Sequence, residues 1–386
     1  MPPTTKARQD PWGRLQIMHA MRQTGAVPSQ ILLDLIANGG VSSREPIPDE
    51  NVQPASLDLR LGDRGYLVRA AFLPRAGETI EDAVQNYREE TLDLREGALL
   101  KKNCTYVLEL QESLHLPEQV HAYTNNKSST GRINVWVRTL VDKLARFDKI
   151  PYGYSGKLYV MVTPRSWSVR VTTGLALNQA RFLVGDNRLT DLELDMTHQR
   201  IGLIYDHRGE KIPAELDKGV LLSADLSGQV AGYRARHNER FLDLSGGSTH
   251  KAEEYWEPVT ADRGEVRLCQ GEFYIMVTKE FLRVPPGFAV EMVAYDIQSG
   301  EYRSHYAGFF DPGFGYGEDG QILGTPAVLE VDPHEDVIMR HGQPICKMVY
   351  EHMVKPPDRL YGSELSSNYQ NQRGPQLGKQ FTKYPL

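Results

Sequence analysis

The chain has 386 residues, 40% of them hydrophobic and 24% charged, with a formal net charge of −6. That length suggests two domains, each able to build its own core, and the balance is that of a globular protein. The acidic excess argues against a general nucleic-acid binder, which needs surplus Lys and Arg, but leaves room for one small anion held by a local basic cluster.

Residues 1–28 read as a polar extension with a short helix over Arg14–Arg22 and without the apolar core of a signal peptide. Cys104, Cys269 and Cys346 are odd in number and far apart. They form no disulfide framework and no Cys-x-x-Cys, so a reducing, cytoplasmic setting is expected. No run approaches the ~20 apolar residues of a membrane span. From Ser29, as N-cap, to Gly39 or Gly40, apolar residues at helical spacing predict a helix. Strand grammar then takes over in Leu57–Leu61, Thr105–Leu110 and Lys157–Val162, with recurrent Gly and Pro between, as in a β-sandwich or barrel. The acidic stretch Ala76–Glu96 reads as a surface excursion.

The chain repeats itself. Leu100, Tyr106, Glu112, Leu114 and Pro117 return 168 residues later as Leu268, Tyr274, Glu280, Leu282 and Pro285. Ser56-Leu57-Asp58-Leu59 is echoed by Ser223-Ala224-Asp225-Leu226. The expectation is a mainly β protein of two tandem domains, 29–200 and 201–386, after the extension 1–28.

Lys127, Ser128, Ser129, Thr130 and Arg132 crowd phosphate donors around Gly131, where a missing side chain lets backbone approach a ligand. The second copy has lost them, with Tyr295 to Gly300 in their place. It has instead Glu330 within the apolar strand Pro326–Val331, where the first copy carries Met161. A carboxylate in such a strand is costly unless paired or useful. A site formed between the copies is the natural inference.

These pieces resemble the deoxycytidine triphosphate (dCTP) deaminases, members of the trimeric deoxyuridine triphosphatase fold, in duplicated form. Gln53 to Gly62 resembles the family's early signature, and Lys127 to Arg132 its phosphate motif, with lysine for the first arginine. Ala307 to Gly313 resembles its Ala-x-x-x-Asp-Pro-Gly turn, Val328-Leu329-Glu330 its catalytic strand, and Tyr369 to Pro375 its closing tail. Two departures stand out: residues 315–321 lengthen the path from Asp311 to Glu330, and Asn368 stands where the tail would offer lysine.

The resemblance implies Glu330 as general base and acid, Arg132 orienting Glu330 or the water, and the backbone of Ala307 near that water. It implies Lys127, Ser128, Ser129, Arg132, Tyr361, Tyr369 and Gln372 on the triphosphate, with Asp311 and Val328 reading sugar and base. It further implies dCTP as substrate, dUTP and dTTP as possible ligands, Mg²⁺ carried by the triphosphate, and a homo-oligomer with trimer-like packing of domains. The His-x-Glu and Pro-Cys-x-x-Cys pattern of zinc deaminases does not occur, so no zinc is expected. Two other readings compete: a dUTP diphosphatase, alone or coupled to deamination, and a nucleotide-binding regulator without catalysis.

Overall fold

A computed structural model describes residues 24–246, 249–295, 302–304 (backbone only), 308–362, 369–370 and 372–385. The helix Arg14–Arg22 and Ala307 lie outside them. Among the described residues the fold is mainly β, and no helix is long and apolar enough to cross a membrane.

Helix α1, Ser29–Ala37, buries Ile31, Leu32 and Leu35. Ser29 is not its cap: Pro28 precedes it in extended conformation, no side chain caps the turn, and the Pro28 carbonyl accepts the Leu32 amide at 3.0 Å. Gly39, at φ +75°, leaves the helix through the left-handed region as expected. The stretch Ala76–Glu96 is more than an excursion. It contains helix α2, Ile80–Tyr87, capped by the Thr79 hydroxyl, followed by a strand, Arg88–Asp93, paired to the sheet. Its few apolar residues, Ile80, Ala83 and Val84, fall on one face and are buried, which three well-spaced side chains suffice to do.

The first half is built on β1 (Leu57–Val68), β2 (Thr105–His115), β3 (Val120–Asn126), β4 (Val135–Val141), β5 (Ser155–Pro164) and β6 (Ala176–Val184). They lie in the order β4-β5-β2-β1-β6-β3 within one antiparallel sheet that curls towards a barrel. Helix α3, Asp191–Ile201, carries a Thr190–Glu193 capping box and leads into the second half. That half repeats the plan with β7 (Val220–Ser223), β8 (Tyr274–Leu282), β9 (Phe288–Ala294), β10 (Tyr302–Ser304), β11 (Thr325–Pro333) and β12 (Pro344–His352).

Register makes the duplication explicit. Phe182 lies opposite Ala122, and Tyr350 opposite Val290, each pair 168 residues from its counterpart. The Tyr106 hydroxyl accepts the Lys101 amide at 2.9 Å, and the Tyr274 hydroxyl accepts the Cys269 amide at 2.9 Å. Met161 lies opposite Val107, and Glu330 opposite Ile275, so these two residues are structural equivalents. The echo of Ser56–Leu59 in Ser223–Leu226 does not hold. Arg60 pairs with Ala176 and Ser223 with Pro344, so Ser223 stands in the place of Arg60. Glu112 accordingly accepts the Arg60 amide, and Glu280 the Ser223 amide. Both copies carry the same bulge beside this residue, and the offset arises because the chain from Ser223 to Glu280 is longer than that from Arg60 to Glu112.

The two cores interlock. Trp167 of the first half packs edge-on against Trp256 of the second at 5.1 Å between centroids, with Phe381 of the tail beside both. On β1, Leu57, Leu59 and Leu61 fill the core, yet the alternate residues Ser56, Asp58 and Arg60 are also buried. Arg60 donates to Glu112 at 2.7 Å in a pair closed to water. Replacing Arg60 by Met strands that carboxylate and is expected to cost about 3–5 kcal/mol, read as a lower midpoint in urea unfolding followed by tryptophan fluorescence. Asp58 instead lines the cavity between the halves, and the Ser56 hydroxyl reaches Asp311 on its wall.

Candidate active site

Strand β3 ends at Asn126, and the chain makes one helical turn over Ser128–Gly131 before β4. The Arg132 amide donates to the Ser128 carbonyl at 3.0 Å, closing the turn. This brings Lys127, Ser128, Ser129 and Arg132 to the wall of a cavity of about 380 Å³. Thr130 is buried and does not line it. Lys127 is ion-paired with Asp58 of β1, which gives the early signature a physical role. Burial pushes the Asp58 carboxyl up, and Lys127 pulls it back down.

The second half supplies the opposite wall. Glu330 on β11 is 6% exposed, and its side chain lies against Gly131. A Cβ at Gly131 would meet Glu330 Cδ and Oε1 at 2.5 Å, so only glycine leaves room for this carboxylate. Glu330 Oε2 is buried without a hydrogen-bond partner. Burial pushes this carboxyl well above the usual range, and the charge of Arg132 draws it down. Val328, two residues earlier, also lines the cavity, as do the apolar groups Met292, Phe309 and Phe314.

Asp311 sits on the same wall, tied to Arg181 of β6 at 3.0 Å and near the Ser56 hydroxyl at 3.3 Å. Gly308, next to the undescribed Ala307, is so close to the phosphate-type turn that a Cβ there would meet Ser128 Oγ at 3.0 Å.

The tail straps both halves together. The Tyr369 ring covers the Arg132 guanidinium at 3.7 Å. Arg132 donates to the Gln376 carbonyl at 2.8 Å and to Gln372 Oε1 at 3.1 Å. Gln372 donates to the Pro326 carbonyl at 2.7 Å, and Gln380 to the Ser129 carbonyl at 3.0 Å. Tyr361 lines the cavity, its amide donating to the Pro312 carbonyl at 2.8 Å.

Apart from Thr130, the described residues singled out from the sequence as ligands or catalysts, Lys127, Ser128, Ser129, Arg132, Asp311, Val328, Glu330, Tyr361, Tyr369 and Gln372, therefore line one cavity within one chain. Sequence reasoning missed Gln179, Arg181 and Lys379. Gln179 and Lys379 line the cavity, and Arg181 lies behind Asp311. A signal for Arg181 existed, a cation inside the apolar strand Ala176–Val184; for Lys379 there was none.

A turn crowded with hydroxyl and cationic side chains faces a buried acid between two copies of one antiparallel β fold, an arrangement that suits a hydrolase acting on an anionic substrate. The N-terminal domain of 2′-deoxycytidine 5′-triphosphate deaminase matches residues 23–186, and the C-terminal domain of that family residues 190–381. The chain belongs to the dCTP deaminase family. The crystal structure of 2′-deoxycytidine 5′-triphosphate deaminase from Agrobacterium tumefaciens superposes with a TM-score of 0.83 at 40% identity, over 89% of this chain and 99% of that one. A dCTP deaminase from Haloarcula marismortui is 30% identical over 36% of this chain and 70% of its own length. A dUMP-forming dCTP deaminase from Halobacterium salinarum is 29% identical over 41% of this chain and 84% of its own length. Matching less than half of this chain but most of themselves, these two are similar in the manner of one copy of a duplicated protein.

Proposed function

We propose that this enzyme converts dCTP and water to dUTP and ammonia, with Glu330 handling the protons. Water adds to C4 of cytosine as Glu330 takes its proton. Glu330 then delivers that proton to N3, and ammonia leaves from C4 with a proton from the added oxygen. One observation carries this reading: the Glu330 carboxylate is buried against the phosphate-type turn with one oxygen unpartnered. A base so desolvated has its pKa lifted towards the working pH, where acid–base assistance is worth roughly 10²–10⁴ in rate. Arg132, held by the tail, orients Glu330 and keeps it ionised. Ala307, beside Gly308, is assigned to the attacking water through its backbone, and Val328 to the base.

Lys127, Ser128, Ser129, Tyr361, Tyr369 and Gln372 bind the triphosphate in this reading, Lys127 sharing its charge between Asp58 and phosphate. Mg²⁺ enters with the nucleotide and screens its phosphate charge. Among the described residues no group of three or more His, Cys, Asp or Glu could hold a metal. Asp58 and Asp311 are already engaged by Lys127 and Arg181, which fits an ion held by phosphate oxygens and water. The reaction is read as zinc-independent, and dTTP, with the same sugar and triphosphate, as a candidate ligand of the same pocket. The described walls come from one chain, so each chain is proposed to hold its own pocket, whatever homo-oligomer it joins in a cytoplasmic setting.

Diphosphate hydrolysis of dUTP would need a carboxylate free to aim water at the α-phosphate. Asp311, bound by Arg181, is poorly placed for that. Incubation with dCTP and Mg²⁺ tests the reading: ammonia and dUTP in equal amounts are expected, undiminished by a zinc-selective chelator. Formation of dUMP with diphosphate would move the assignment to the coupled reaction, and saturable binding with no ammonia to a regulator.

A further inference from the structure

We propose that Arg181 is a positioning residue of this pocket: reaching across from the first half, it holds the Asp311 carboxylate as an acceptor facing the cavity, and so selects a ligand that presents a hydroxyl there. The Arg181 side chain is wholly closed to water. Nη2 donates to Asp311 Oδ1 at 3.0 Å, while Nη1 donates to Glu351 Oε2 at 3.0 Å and to the Val290 carbonyl at 3.1 Å. The guanidinium lies 4.2 Å over the Phe309 ring, and Glu351 is fixed in turn by the Tyr123 hydroxyl at 2.8 Å.

Nothing in the duplicated fold demands a cation at this position. Arg181 lies opposite Tyr123 and Val349 opposite Glu291, so the second half carries valine at the equivalent place. The arginine is a property of this wall, as Glu330 is of the other.

Its consequence follows from hydrogen-bond chemistry. An ionised carboxylate only accepts, whereas a protonated one also donates. Burial favours the protonated form of Asp311 and Arg181 opposes it. The other groups facing Asp311 are Ser56, at 3.3 Å from Oδ2, the Ala55 backbone amide, and Asp58 with its partner Lys127. With Arg181 in place, Asp311 can take a hydrogen bond from a sugar hydroxyl. A site built to pair with a hydroxyl rejects the analogue lacking it, because its own group is then left unpaired. The identity of that hydroxyl, on the sugar of a deoxycytidine nucleotide, rests on the function proposed above.

The test compares dCTP with 2′,3′-dideoxycytidine triphosphate by calorimetric binding, and by KM where there is turnover, for wild type, Arg181→Lys and Arg181→Met. The wild type is expected to prefer dCTP by at least about tenfold. That preference falls to about threefold or less in the Met variant through weaker dCTP binding, and to an intermediate value in the Lys variant, whose single ammonium cannot bridge both carboxylates as the fork does. Equal weakening of both nucleotides, leaving the preference intact, would reduce Arg181 to a strut between halves and overturn the proposal, as would a wild type with no preference. Should the Met variant not fold, the Lys variant, which keeps the charge, decides alone. Ammonia is measured in the same samples. A wild type that shows the preference without releasing ammonia sustains Arg181 and removes deamination; ammonia without the preference does the reverse.

Discussion

Replacing Glu330 by Gln is expected to lower ammonia release by about 10²–10⁴ while dCTP affinity stays within about tenfold. Glutamine keeps the size of the side chain and its seat against Gly131, but cannot accept the proton of a water. The phosphate-type turn belongs to the other half of the chain and is untouched. The same change should raise thermal stability at neutral and higher pH. The carboxyl is pushed up in the folded state, chiefly by burial. Its contribution to stability is therefore present below its unfolded pKa and is lost as pH rises through the folded value, where the buried group must ionise. Glutamine removes that loss, so the gain should shrink as the pH is lowered. Unchanged turnover would refute the catalytic assignment, and equal stability at all pH values would refute the account of its burial.

Replacing Gly131 by Ala is expected to lower kcat by about 10²-fold, the scale of an ångström-sized displacement of a reacting group. Gly131 does not have the positive φ that would make alanine strained, and alanine favours a helical turn by about 1 kcal/mol over glycine. The added methyl group meets only the far end of the Glu330 side chain, which can swing aside without moving backbone. The fold should therefore persist, Ser128, Ser129 and Arg132 should still grip the triphosphate, and KM should change little. Steady-state kinetics with dCTP checks this; activity within about threefold of wild type would mean that Glu330 does its work from another position.

The parts of the site that were legible in the sequence were those whose chemistry contradicts their surroundings. Glu330 stands in an apolar strand, and Lys127 to Arg132 crowd donors around a glycine. Comparing the copies then showed that each had what the other lacked, and the register confirmed Met161 as the partner position of Glu330. The same reasoning failed where short likeness was set against strand pairing. Ser223 resembles Ser56 in sequence but occupies the place of Arg60, because the chain from Ser223 to Glu280 is longer than that from Arg60 to Glu112, and a length difference in a connection leaves no mark in the strands themselves. For Ala76–Glu96 it placed the stretch on the surface, where most of its side chains lie, but did not see the helix whose three apolar side chains dock on one face.

By itself the sequence determined the duplication, the strand-rich class and the residue types that the chemistry needs, because periodicity and repeated frames are local properties of a chain. Only the tertiary structure decided which groups meet. The contact of Glu330 with Gly131, the pairing of Lys127 with Asp58, and Arg181 between Asp311 and Glu351 join residues that are remote in the chain. Their protonation and reach depend on burial and on charges a few ångströms away. Those arise only when two barrels close on one another and the tail is drawn across the seam.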